Sequence, residues 1–342
     1  MNRIRRQLEQ SFKRVRGMRT IGALLAAAVS LFGGLWNATA FAQTYPTKAI
    51  RLIIPFGAGG PPDFVGRIIA QHLAAALGQQ VIVDNRPGAG GTIGAAAAAK
   101  SPGDGYTLFF ATTSTLSIAP SLYANPGFDP RTSFAPISLI ATAPFLIVVH
   151  PSLPTSTLKE LIALARSRPG QLYFSSGGNG TPLHIAGEMF KASAGVNLVH
   201  VPYKEIAPAT TDLLAGRVQI MFQQLATLDQ HIRSGKLRPL AVASPKRHPQ
   251  LPDLPTTSEA GLSDYEVTVW FGLVAPSGTP ADAVKRLNVE LMKVLQTKEV
   301  RDGLSNQGLQ TAGNSPEEFS AFITRETAKW SAAVKRSGAK ID

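Results

Sequence analysis

The chain has 342 residues, 44% of them hydrophobic and 16% charged, with a formal charge of +12 and no cysteine. That length and composition suffice for two globular domains and argue against disorder, while the missing thiols exclude disulfides, thiolate metal sites, cysteine nucleophiles and a lipid anchor on an N-terminal cysteine. Residues 1–42 hold seven bases and one acid, so the remainder carries only +6, spread without a basic run, which suits anionic small ligands rather than nucleic acid.

Residues 1–42 read as a cleavable secretory signal. Ile21–Trp36 is uncharged, follows a basic stretch and runs towards Ala40-Phe-Ala42, a small-x-small cleavage pattern. The run is short of the roughly 20 residues a membrane span needs, and no second run of that kind follows, so the mature chain is expected to be soluble. Arg5-Arg6 is followed by Gln7-Leu8-Glu9, a poor setting for twin-arginine export, and Met18-Arg19 begins a complete conventional signal by itself. The general secretory route is favoured, with translation starting at Met1 or at Met18.

From Gln43 strands and helices alternate. Ala49–Pro55 predicts a strand, nearly all apolar apart from Arg51, as in a strand covered on both faces. Gly57, Gly59 and Gly60 then let the backbone turn and approach a ligand, Pro61-Pro62 suits a first helical turn, and Asp63 is placed to cap it. Helical spacing over Phe64–Leu77 stops at Gly78. Val81–Asp84 is a second strand, Ile93–Lys100 a helix, and Thr107–Thr112 a third strand. This alternation predicts a parallel sheet covered on both faces, with ligands at the carboxyl ends of the strands.

After Phe134–Ala141, Phe145–His150 and Pro151–Pro154 the pattern restarts. Helices are predicted at Leu158–Arg166, His184–Ala192 and Pro208–Leu214, with strands at Leu172–Ser175, Leu198–Pro202, Val218–Phe222 and Leu237–Ala243. Prolines 245, 249, 252 and 255 mark the end of this unit. Tyr265–Ala275 is then a long strand, followed by helices at Ala281–Gln296, Lys298–Leu304 and Pro316–Ser337.

Anion chemistry is concentrated in loops that leave strands. Free amides beside Gly57–Gly60 attract anions. In Ser175-Ser-Gly-Gly-Asn-Gly-Thr-Pro-Leu-His184, Ser175, Ser176 and Thr181 supply hydroxyls and Gly177, Gly178 and Gly180 expose N–H groups, a set that binds carboxylate without a full charge. Thr181 is also a helix cap, and His184, one turn into the helix, reads as a structural histidine. Thr113 and Ser114 follow the third strand at its carboxyl end and line the same place. The loop Val83–Gly94 has the spacing G-x-G-x-x-x-G, not that of a dinucleotide loop, and reads as a closure of the first domain with Asn85 near the cleft. No cofactor or metal is expected, since the six histidines are scattered and no H-E-x-x-H occurs. Catalysis is disfavoured too: Ser176 and His184 could be cast as nucleophile and base, but no G-x-S-x-G elbow exists and no acid is placed to orient the histidine.

Together with Val81–Gly91 and Val201-Pro-Tyr-Lys204, these loops resemble the substrate-binding proteins of tripartite tricarboxylate transporters, the Bug family, over about Tyr45 to Asp342. The resemblance implies an α/β, two-lobed periplasmic binding protein (Venus-flytrap) fold with two hinge-crossing strands: domain 1 from residues 43–143 and 268–342, domain 2 from residues 144–267. It implies a ligand-binding set of Phe56, Gly57, Ala58, Gly59, Gly60, Thr113, Ser114, Ser175, Ser176, Gly177, Thr181, Tyr203 and Gln223. The expected activity is capture of a small organic di- or tricarboxylate for delivery to membrane permease subunits, by a monomer held in a Gram-negative periplasm. A ligand-presenting sensor is the rival from another class, and a periplasmic hydrolase a weaker one. The chain departs from the family pattern at Pro62, usually Ser or Thr, at Glu205, usually Gly, and at Gln223-Gln224, often Asp-Asn. With no Asp at 223, a non-amino organic acid is expected and aspartate and glutamate should bind poorly, while a β-branched residue at Gly60 should abolish binding.

Overall fold

A computed structural model describes residues 45–339; residues 1–44 and 340–342, and with them the expected export signal, lie outside the described residues. The chain runs β1 (Ile50–Ile54), α1 (Pro61–Leu77), β2 (Val81–Asn85), α2 (Thr92–Ala99) and β3 (Thr107–Thr112). A π-type helix, Thr113–Ile118, continues into the single turn α3 (Ala119–Leu122). The segment from β4 (Phe134–Val149) onwards holds α4 (Leu158–Ser167), β5 (Tyr173–Ser176), α5 (Pro182–Ala194), β6 (Val199–Pro202), α6 (Ile206–Leu214), β7 (Ile220–Gln224), α7 (Leu225–Arg233) and β8 (Arg238–Val242). The chain then makes β9 (Thr268–Pro276), α8 (Ala281–Gln296), α9 (Lys298–Asn306), β10 (Gln310–Thr311) and α10 (Pro316–Ser337).

The strands form one path in the order β2-β1-β3-β9-β4-β7-β5-β6, with β8 and β10 added to β4. As the alternation predicts, β1 lies parallel to β2 and β3, and β5 parallel to β6 and β7. The later strand corrects an all-parallel reading: β9 is antiparallel to both β3 and β4. It enters after a run of chain rather than through a crossover helix, so its direction is not constrained to match its neighbour.

β4 ties the two halves of the sheet together. Its residues Phe134–Pro144 pair with β9, whereas Phe145–Val149 pair with β7 and β8. At the change of partner three segments are stitched by main-chain bonds: Phe145 N–H donates to Val267, Val267 N–H to Ala243, and Ala243 N–H to Phe145. Pro144 stands at that point, where a missing donor costs the ladder least.

Local chemistry explains the helix bounds. α1 starts at Pro61-Pro62 and ends at Gly78 in the left-handed region (φ 68°). α4 and α10 begin with reciprocal caps, Thr157 with Glu160 and Ser315 with Glu318, each worth about 1 kcal/mol. α8 buries Ala283, Leu287, Leu291 and Val294, one stripe at helical spacing. Trp270, Trp330, Tyr265 and Phe109 are among the largest fully buried side chains. Among the described residues no helix is long and apolar enough to cross a membrane.

Candidate ligand-binding cleft

The loops after β1 and β3 on one half of the sheet, and those after β5 and β6 on the other, enclose a cavity of about 590 Å³. One wall is a single helical stripe, Ser114, Ile118, Ala119 and Leu122, ending in Tyr123. Facing residues come from Gly177–Leu183 and from Lys204, Glu205 and Ile206, while Phe56 and Gly90 complete the lining. The volume lies in the range of small-ligand sites, and the mixture of apolar walls with a few convergent polar groups is the usual make-up of such sites.

The loop after β1 is held from inside by Asp63. This carboxylate is 4% exposed, accepts from Gly59 N–H (2.9 Å), Arg67 Nε (2.9 Å) and Asn85 Nδ2 (2.8 Å), and therefore reaches back beyond the helix start instead of capping it directly. The Arg67 hydrogen bond is the main reason that its pKa falls to about 2, with the Gly59 and Asn85 bonds adding to it. Asn85 also donates to the Phe56 carbonyl (2.9 Å). Gly59 N–H is thus committed within the loop, whereas Gly57 and Ala58 N–H have no hydrogen-bond partner among the described residues. Conformational freedom is needed at Gly59 (φ +89°) and not at Gly60, whose φ of −83° any residue adopts and where an added Cβ would meet only Pro62 Cδ at 3.7 Å. That removes the backbone-angle reason for expecting a β-branched residue at Gly60 to abolish binding.

Internal bonds also hold the loop after β5. Ser176 is fully buried; its Oγ accepts from Gly178 N–H (3.1 Å) and lies 2.7 Å from His200 Nε2. Thr181 Oγ1 donates to the Gly178 carbonyl (2.7 Å) and accepts from His184 N–H (3.4 Å). His184 Nδ1 accepts from Gly180 N–H (3.0 Å), and its ring stacks on His200 at 3.9 Å between centroids. Burial lowers both histidine pKa values, His200 to about 4, so the stacked pair stays neutral near pH 7. What this loop leaves without a partner among the described residues is the N–H groups of Gly177 and Asn179.

Ser114, Gly177, Thr181 and Phe56 therefore line the cavity, with Gly57, Ala58 and Gly59 exposed in the loop that carries Phe56. The other residues expected at the site stand elsewhere or are committed to the fold. Thr113 is buried and cross-links the chain, its Oγ1 accepting from Trp270 N–H at 2.7 Å. Ser175 is fully buried and donates weakly to the Ala209 carbonyl at 3.5 Å, beneath α6. Tyr203 donates to Asp212 (2.6 Å), and burial with that bond pushes its pKa up to about 12. Gln223 is fully buried at the end of β7, its Oε1 taken by Gln224 N–H (2.9 Å), and its Nε2 lacks a partner among the described residues. Neither Gln223 nor Tyr203 is part of the cavity lining.

Residues the sequence reading passed over include Ile118, Leu122, Tyr123 and Ile206, while Gly90, Lys204 and Glu205, named there without a place in the ligand-binding set, also line the cavity. Gly90 (φ +63°) carries Tyr123 above it, since a Cβ there would sit 3.1 Å from the phenol oxygen. Gly91 and Gly94 are the places where the loop after β2 touches Pro55, so the glycines of 88–94 serve close packing. Among the described residues no group of His, Asp and Glu could hold a metal ion.

The model of the tripartite tricarboxylate transporter family receptor matches residues 65–339, which include most of the helix after the β1 loop, the whole β5 loop, β4 and β9. The chain belongs to this family. Curated relatives agree: the receptor is 39% identical over 289 residues to a protein of the tcbD-tcbE intergenic region of Pseudomonas sp. strain P51, covering 84% of this chain and 86% of that one. It is 36% identical over 301 residues to Protein BugT of Bordetella pertussis, covering 88% and 92%. Among solved structures, an R. palustris protein with adipate is 37% identical with a TM-score of 0.73, covering 87% of the receptor and all of that chain. MatC from Rhodopseudomonas palustris, with bound malate, is 30% identical with a TM-score of 0.70, covering 85% and 100%. A solute-binding protein from Polaromonas solved without ligand reaches a TM-score of 0.78 at 30% identity, covering 86% and 100%. The receptor has their two-lobed binding-protein fold and is a solute-binding protein.

Proposed function

We propose that the receptor captures a small organic carboxylate between the loops after β1 and β5 and presents it to membrane permease subunits. The observation that carries this reading is the set of donors left over by the loops themselves. Among the described residues the amides of Gly57, Ala58, Gly177 and Asn179 have no partner and Ser114 lines the cavity, whereas the nearby carboxylate Asp63 is fully occupied. Free neutral donors in loops around one cavity suit an anion, and the relatives solved with adipate and malate support that choice. Lys204 supplies the cation among the lining residues.

In this reading residues 43–143 with 268–342 form one lobe and 144–267 the other, and β4 and β9 are the hinge across which ligand shifts the population towards closure. Export through residues 1–42 places the monomer in the periplasm. Ser176 and His200 have the spacing of a nucleophile and a base, but the hydroxyl is buried and no acid among the described residues orients the imidazole, which supports binding rather than turnover. Calorimetry of adipate and malate tests the proposal: saturable binding with the ligand recovered unchanged is expected. No heat with any organic acid, or conversion of the ligand, overturns it.

A further inference from the structure

The cavity wall says more about the ligand than the loops do. Along the stripe from the π-type helix into α3, the only polar side chain before Tyr123 is Ser114 at its start; Ile118, Ala119 and Leu122 follow. At helical rise the stripe from Ser114 to Leu122 spans about 12 Å, of which the apolar part from Ile118 to Leu122 is about 6 Å, so an acid anchored at Ser114 meets only carbon along the rest of this wall. The other half of the sheet answers with Pro182, Leu183 and Ile206. Ile206 is 39% exposed although isoleucine is normally buried, and Gly177 leaves the room for it, since a Cβ there would lie 3.0 Å from Ile206 Cγ1. Apart from Lys204 and Glu205, no charged side chain belongs to the lining. A second or third carboxylate at the apolar end would be desolvated opposite carbon, which costs several kcal/mol.

Resting on the proposal that this cavity takes an organic acid, we infer that its preferred ligands are acids with one carboxylate end and an apolar body, an aromatic ring or an alkyl chain, seated on Ile118, Leu122, Tyr123, Leu183 and Ile206. The carboxylate sits at the Ser114 end, and the body lies along the stripe towards Tyr123. Each methylene buried there is worth roughly four-fold in affinity, so selectivity over short polar acids is expected to be large.

The test is calorimetry of the full chain with phenylacetate, octanoate, adipate, malate and citrate at several temperatures. Expected is binding of phenylacetate or octanoate at least about ten-fold tighter than malate or citrate, with a more negative heat-capacity change, the mark of apolar burial. Ile206→Ser, at a half-open position that should not disturb folding, should narrow the phenylacetate-to-malate affinity ratio several-fold. If malate or citrate binds as tightly as the apolar acids, or the ratio is unmoved by Ile206→Ser, the inference falls while carboxylate capture stands. In that case the apolar walls only meet each other on closure. If no acid binds, carboxylate capture falls and this inference with it.

Discussion

The loops after β1 and β5 face one cavity but are built from different chemistry. In the first, a buried carboxylate, Asp63, holds the turn by taking bonds from Gly59, Arg67 and Asn85. In the second, neutral groups do the same: the Ser176 and Thr181 hydroxyls and two stacked imidazoles bind the loop to itself. Each loop spends its conspicuous polar side chains on its own shape. Under the proposed reading those side chains are scaffolding, and the amides of Gly57, Ala58, Gly177 and Asn179 take the ligand.

Filling the second loop breaks this arrangement most severely. Gly177→Val sets a Cβ 3.0 Å from Ile206 and covers an amide without requiring a left-handed backbone. Binding of adipate should fall on the order of 100-fold, about 3 kcal/mol, with circular dichroism unchanged. Unchanged affinity in a folded variant means that the loop is structural only.

Removing the first loop's anchor comes next. Asp63→Ala strands the Gly59 N–H and one Asn85 donor, and should lower unfolding free energy by about 2 kcal/mol. Urea titration reads that loss, and affinity should fall with it because the loop loosens. Gln223→Asp should show in stability too, because its side chain is fully buried and does not line the cavity.

How much of this was legible in the sequence depends on how local each signal is. β3, α8 and α10 occupy the predicted residues because a short apolar run between threonines, helical spacing and the Ser315-Pro316 start are local signals. β4 runs through Phe134–Ala141 and Phe145–Val149 as one strand, to which the sequence reading gave no element because Pro136 and small residues disguise its first half, and α7 was missed behind Gln224, which caps it without a side-chain bond. The cleft wall was missed for another reason: Leu116–Leu122 reads as core from composition alone. The roles of Thr113 and Ser176 depend on partners 157 and 24 residues away, which no local pattern encodes.

Acid should separate the two loops in order. His200 titrates near 6.5 when unfolded and about 4 when folded, so between those values the unfolded chain holds more protons and stability falls as pH drops. Asp63 has its ordinary value at 3.8 and about 2 in the fold, so its contribution is complete above 3.8 and is lost below it. The thermal midpoint should therefore decline first through the histidine window, a limb flattened by His200→Gln, and later through the carboxylate window, a limb flattened by Asp63→Ala.

The smallest effect distinguishes neighbouring glycines. Gly59→Ala forces φ +89° on an alanine and should cost about 1 kcal/mol, whereas Gly60→Ala at φ −83° should be neutral. Equal costs would show that the turn is shaped otherwise.

The central claim, that leftover backbone amides hold the ligand's carboxylate, is tested most directly by following amide resonances of nitrogen-15-labelled receptor during titration with adipate. Gly57, Ala58, Gly177 and Asn179 should shift earliest and furthest, downfield as hydrogen bonds form, with Gly59 and Gly180 moving less because their N–H groups already have partners. Saturable binding that leaves those four amides in place and perturbs another surface would contradict it.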